Sequence, residues 1–177
     1  MKSIKTFESY IRSVRDFPKK GIVFRDITTL LKDPDALHNV VERLYEKYKG
    51  MKIDKVVAVE SRGFILGSAL ALRLGTGFVP IRKKGKLPAE TVREEYALEY
   101  GNDSVEIHKD AISAGDRVLV HDDLLATGGT ISAACKLVER LGGKIIGLCF
   151  LVELNFLKGR ARLAPHDIVS LVQYETE

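Results

Sequence analysis

The chain has 177 residues, 45% of them hydrophobic and 29% charged, with a formal net charge of +4. That length suits one domain around one core, and the composition excludes a disordered, collagenous or disulfide-stapled chain. No apolar run approaches the ~20 residues that span a bilayer, and the N-terminal MKSIKTFESYIRS lacks the unbroken apolar stretch of a secretion signal. A cytoplasmic protein with no membrane partner is expected. The modest basic excess suits a small phosphorylated substrate as well as it suits nucleic acid.

In chain order, Ile4, Phe7, Ile11 and Val14 recur at helical spacing and predict an amphipathic helix over 3–15. Asp33-Pro34 reads as an N-cap followed by proline in the first turn. Leu37, Val40, Val41, Leu44 and Tyr48 then mark a helix that ends near Gly50. The β-branched run 55–59 predicts a buried strand, broken by Glu60-Ser61-Arg62-Gly63, and 64–74 predicts a mostly buried helix. Residues 78–81 form a short strand. Residues 82–95, charged and carrying Gly85 and Pro88, predict an exposed loop. Tyr96, Leu98 and Tyr100, then Gly101-Asn102-Asp103, then Val105 and Ile107, predict a hairpin standing off the sheet. Strands follow at 117–121, 145–152 and 168–172. A helix bearing Ile131, Ala134, Val138 and Leu141 lies between the first two and stops at Gly142-Gly143. Alternating strands and helices predict one α/β domain, 1–177, with a mainly parallel sheet. Cys135 and Cys149 sit in apolar segments and read as small buried side chains rather than redox or metal groups. His38, His108 and His166 lack metal-ligand spacing.

The chemistry concentrates in RVLVHDDLLATGGT, residues 117–130. A strand ends at two adjacent carboxylates, Asp122 and Asp123. Small residues follow (Ala126, Thr127, Gly128, Gly129, Thr130), and then a helix begins. Ligands of open α/β sheets bind at the carboxyl ends of strands. Free N–H groups at a helix start favour anions, and glycines let a phosphate approach the backbone. Two acids beside a phosphate would repel it, since like charges ~4 Å apart cost ~4 kcal/mol at an effective dielectric near 20. The arrangement makes sense if a sugar diol hydrogen-bonds the acids and Mg²⁺ neutralises the remainder. Neither a Walker A lysine nor G-x-G-x-x-G is present, so the standard nucleotide loops are excluded.

HDDLLATGGT resembles the phosphoribosyl pyrophosphate (PRPP) signature of the type I phosphoribosyltransferases. GIVFRDIT at 21–28, VVAVESRGF at 56–64, RKKGKLPAET at 82–91, ALEYG at 97–101 and LVELNFLKGR at 151–160 resemble the adenine-using branch of that family. The similarity runs in order along nearly the whole chain. It implies transfer of the phosphoribosyl group of PRPP to adenine, with AMP and pyrophosphate as products and Mg²⁺ as cofactor. It also implies an N-terminal base-covering hood (about 1–34), a mobile catalytic hairpin (about 83–108) and a homodimer.

The same resemblance implies roles by residue. Asp122 and Asp123 would bind the ribose hydroxyls, directly or through the metal, and Ala126 to Thr130 would hold the 5-phosphate. Glu60, Ser61, Arg62 and Gly63 match the pyrophosphate turn, and Lys83, Lys84 and Lys86 match the basic stretch beside it. Val23, Phe24 and Arg25 match the segment over the base. Glu99 and Tyr100 match the catalytic hairpin, where Glu99 faces away from Tyr96, Leu98 and Tyr100 and could take a proton from the base. His121 and Lys20 depart from the pattern, which usually has an apolar residue and a proline there. Sequence physics alone leaves xanthine, guanine or orotate open as acceptors. A PRPP-binding regulator of nucleic acid would need an added binding module, for which the chain has no room.

Overall fold

The computed structural model describes residues 6–97 and 102–177. After a short 3-10 turn at Phe7–Tyr10, β1 (Arg12–Arg15) pairs antiparallel with β2 (Val23–Asp26). Next come α1 (Thr28–Leu31), α2 (Pro34–Tyr48), β3 (Lys55–Val59), α3 (Gly63–Leu74) and β4 (Gly77–Lys83). The hairpin strands β5 (Thr91–Ala97) and β6 (Asn102–His108) precede β7 (Arg117–Leu125), α4 (Gly129–Arg140) and β8 (Lys144–Leu154). A 3-10 turn at Asn155–Leu157, α5 (Gly159–Arg162) and β9 (Ile168–Tyr174) complete the described chain.

The main sheet has seven strands in the order β5-β6-β4-β3-β7-β8-β9. The five from β4 to β9 run parallel; β6 is antiparallel to β4, and β5 antiparallel to β6 at the edge. Both faces of the parallel part are covered. Val57, Val59, Val118, Val120 and Phe150 pack with α4 residues such as Ile131, Leu137 and Val138. Val56, Leu119 and Leu151 pack with Val40 and Leu44 of α2 and Leu66 and Leu70 of α3. That double cover is why β3 and β7 read as unbroken apolar runs. Asp33 caps α2 as expected, accepting from the Ala36 amide at 2.9 Å. Leu44 is fully buried beneath α2, a burial that stabilises by roughly 1.5–3 kcal/mol.

The order of connections positions the site. From β3 the chain moves to β4 on one side, makes the edge hairpin, then returns to place β7 on β3's other side. The crevice beyond the carboxyl ends of β3 and β7 is therefore the topological switch point.

The structure corrects some sequence expectations. Residues 7–15 are not one helix. Ile11 is buried in the core, but Arg12–Arg15 form β1, tied to β2 by Arg12 hydrogen-bonding Asp26 at 2.5 and 3.0 Å. Tertiary pairing overrides the helical spacing there. Residues 82–95 are not one loop, because β4 runs to Lys83 and β5 starts at Thr91. Along β5, Val92, Glu94 and Tyr96 are half-buried while Arg93 and Glu95 are exposed, a period of two hidden by charges. Glu94 faces α4, where Lys136 and Arg140 bridge to it. Nor does the hairpin stand off. β6 joins β4 through Arg82↔Glu106 and Lys83↔Val105, which buries Val105 and Ile107.

Candidate active site

β7 is longer than the sequence suggests. It continues to Leu125, so Asp122 and Asp123 lie on a paired strand, with Asp122 opposite Phe150 of β8. The turn 126–128 follows, and Gly129 and Thr130 already belong to the first turn of α4. Gly128 takes the left-handed conformation at φ 78° as the helix cap, with no side-chain oxygen filling the cap. The first N–H groups of α4 are left for an outside acceptor.

A cleft of about 490 Å³ opens over this turn. Its wall takes Glu60, Ser61 and Arg62 from the end of β3, Asp122 through Ile131 from β7 and α4, Lys83 and Tyr96 from the hairpin side, and Phe24 from β2. The Glu60–Ser61 peptide is cis. Gly63 begins α3 directly against the acids, and a Cβ added there would lie 2.7 Å from Asp122 Oδ1. Only glycine permits that approach of helix to carboxylate.

The two acids lie side by side, Asp123 buried and Asp122 half-buried. Burial, then the neighbouring Asp123 charge, holds the Asp122 carboxyl well above its usual range. Burial also raises Asp123, against the pull of Arg62. Arg62 Nε lies 2.9 Å from Asp123 Oδ2, yet that oxygen receives no aligned hydrogen bond among the described residues. Arg62 also sits over the Phe24 ring at 4.9 Å. The acid pair is thus under-neutralised and suited to hydroxyl donors or a cation.

Glu60 differs. Its carboxylate accepts from Arg82 at 2.9 and 3.3 Å, from Lys86 at 3.2 Å and from the Lys83 amide at 3.2 Å. The Arg82 hydrogen bond foremost, with Lys86 and the Lys83 amide, holds it down at about 2. Its charge is already used in fixing the end of β4. Lys83 pairs with Asp103 of β6, whose Oδ2 also accepts from Tyr96 at 3.2 Å. Lys84 is exposed and off the cleft wall, and Lys86 is drawn to Glu60.

Of the expected base-covering segment, only Phe24 faces the cleft. Strand alternation turns Val23 and Arg25 away. Val23 lines a separate depression with Ile22 and Glu177, and Arg25 stacks on Tyr174 at 3.7 Å. Glu99 and Tyr100 lie outside the described residues. Sequence reasoning missed Tyr96, Asp103 and Arg82. Their period-two placement on the hairpin and β4 was the available signal, obscured by the charge-rich loop reading. Among the described residues no group of three or more acids, histidines or cysteines forms a metal cage.

Fold and cleft define a class: an open α/β sheet with paired acids and a glycine-containing strand–turn–helix at its switch point. The family model for the phosphoribosyl transferase domain matches residues 26–174. An adenine phosphoribosyltransferase of Solibacter usitatus is 58% identical over 95% of this chain and 97% of its own length. The crystal structure of the adenine phosphoribosyltransferase from Thermoanaerobacter pseudethanolicus superposes with a TM-score of 0.93, at 56% identity over 95% of this chain and 98% of that one. The Trypanosoma brucei enzyme, solved with AMP, pyrophosphate and ribose-5-phosphate, superposes at 0.86 with 27% identity, over 94% of this chain and 78% of that one. The chain belongs to the phosphoribosyltransferase family, within its adenine phosphoribosyltransferases.

Proposed function

We infer that the protein transfers the phosphoribosyl group of PRPP to adenine, forming AMP and pyrophosphate in purine salvage. The observation that carries the mechanism is the Asp122–Asp123 pair lining the cleft beside the 126–130 turn at the switch point. In this reading the turn takes the 5-phosphate on the α4 amides and the Thr127 and Thr130 hydroxyls. The acid pair accepts hydrogen bonds from the ribose diol, and its negative charge opposes the positive charge that develops on the sugar ring as pyrophosphate departs. Arg62 and Lys83 stand on the cleft wall where pyrophosphate charge must be met. Phe24 offers a ring face to the base. Glu99, by the family resemblance, takes the proton that adenine loses. Closure of the hairpin, about 83–108, together with the hood, about 1–34, excludes the water that would hydrolyse PRPP.

The donor set fits Mg²⁺. Two hard carboxylates with an unsatisfied buried oxygen, and no full protein cage among the described residues, suit an ion that arrives with substrate oxygens and water. When bound, it would neutralise pyrophosphate charge, held through Asp122 and Asp123. Among the described residues no helix is long and apolar enough to cross a membrane. A cytoplasmic homodimer is the proposed working form.

The test is a product assay with PRPP, Mg²⁺ and, separately, adenine, hypoxanthine, guanine, xanthine and orotate. AMP from adenine alone is expected. Nucleotide from another base would overturn the base assignment, and no nucleotide from any base would overturn the reaction.

A further inference from the structure

The segment after β8 carries a device that the reaction does not itself explain. Gly159 lies directly beneath the 126–130 turn. A Cβ added to it would sit 2.1 Å from Ala126 O and 3.1 Å from Gly128 N, and a Cβ on Gly128 would sit 2.8 Å from Gly159 O. Two backbones meet here with no side chain between them, so neither can yield by a rotamer change. The neighbouring Arg160 is clamped. Its Nε and Nη2 reach Glu153 Oε1 and Oε2 at 3.0 and 2.5 Å, and its Nη1 donates to Ile168 O at 3.1 Å. Ser170 Oγ donates to the same carboxylate at 2.6 Å. Glu153 is only 2% exposed and pairs in register with Leu125, the residue just before the turn.

Glu153 is buried but the Arg160 side chain is 46% exposed, and a pair open to solvent on one side contributes little net stability. What such a forked pair supplies is geometry. We propose that Gly159, seated by the Glu153–Arg160 clamp, is a positioning residue that sets the shape of the 126–130 turn and so the affinity for the sugar 5-phosphate. The proposal rests on assigning that turn to the 5-phosphate. The clamp touches no substrate and acts only through the backbone of Ala126 and Gly128. Its removal loosens one anchor and leaves the acid pair and the cleft mouth in place.

The experiment compares Arg160→Met, Arg160→Lys, Gly159→Ala and the Gly159→Ala/Arg160→Met double variant. Steady-state kinetics vary PRPP and adenine separately. Ribose 5-phosphate binding is measured by calorimetry, and the melting temperature of each protein is recorded. Arg160→Met is expected to raise KM for PRPP about tenfold and to weaken ribose 5-phosphate equally, with kcat and KM for adenine within about twofold. Arg160→Lys should fall between, since lysine keeps the charge without the fork. Gly159→Ala should exceed both, and the double variant should be no worse than Gly159→Ala, because both act on one turn. If Gly159→Ala does not fold, the Arg160 pair decides. An unchanged KM for PRPP in Arg160→Met overturns the proposal, as does an equal loss in every constant that tracks melting temperature. If the wild type fails to bind ribose 5-phosphate, the cradle assignment itself falls and the proposal with it.

Discussion

Replacing His121 by valine should flatten the acid limb of the protein's stability curve. His121 is fully buried on β7, with Nδ1 3.4 Å from Cys149 Sγ and Nε2 without a hydrogen-bond partner among the described residues. Its Cδ2 lies 3.3 Å from the point where a Cβ on Gly67 would stand, so the ring is wedged between β7 and α3. Burial holds the imidazole down at about 4, from an ordinary 6.5. The folded state thus binds fewer protons than the unfolded state between those values. The stability contributed is complete above pH 6.5 and is lost as pH falls towards 4. A gap of about 2.5 units corresponds to about 3 kcal/mol, a large share of a typical 5–15 kcal/mol. Carboxylates held low, Asp26 and Glu60 at about 2, act below about pH 4.5 and are common to both proteins. Urea unfolding at steps from pH 7.5 to 4.5 would give both curves. Valine leaves a cavity and lowers the absolute value, but the slope is the readout. Identical slopes for wild type and variant would refute a neutral buried His121.

Other perturbations act on the site directly. Asp123→Asn should cut kcat by at least about a hundredfold while melting stays near wild type, since preorganised charge at the reacting centre commonly contributes that much. Near-wild-type turnover would remove Asp123 from the chemistry. Asp122→Asn should raise the melting temperature at pH 8 while lowering activity, because desolvation and the Asp123 charge oppose an ionised carboxylate there. A lower melting temperature would show the charge to be compensated. Gly63→Ala forces a contact of 2.7 Å against Asp122, where 3.4 Å is ordinary. It should therefore lower kcat/KM by roughly ten- to a hundredfold, and a loss below twofold would show that α3 can shift freely.

The elements easiest to read were those whose local chemistry and tertiary role agree. Asp33-Pro34 starts a helix on capping grounds alone, and it does so here. Lys55–Val59 and the start of β7 are apolar throughout because both their faces are covered. Strand β5 was hidden because Arg93, Glu94 and Glu95 look like a solvated loop until Lys136 and Arg140 across the way are known. Phe7, Ile11 and Val14 keep helical spacing, but Phe7 lies in a 3-10 turn, Ile11 ends it, and Val14 is set by pairing with β2. At the site, the acids and the glycine turn were legible from one contiguous motif. The direction of Phe24 relative to Val23 and Arg25 was not, since it depends on which face of β1–β2 meets the cleft. The support under the turn from Gly159 comes from about thirty positions along the chain, and no local pattern announces it.

The acid pair at the end of β7 also couples substrate binding to protons. Burial raises the affinity of both carboxylates for protons, and hydroxyl donors and a cation bound there would lower it again. If PRPP and Mg²⁺ bind there as proposed, their binding would also release acid into the surrounding medium. The heat of binding should vary with the ionisation enthalpy of the buffer, and the affinity for PRPP should strengthen as pH rises through the range in which the pair empties.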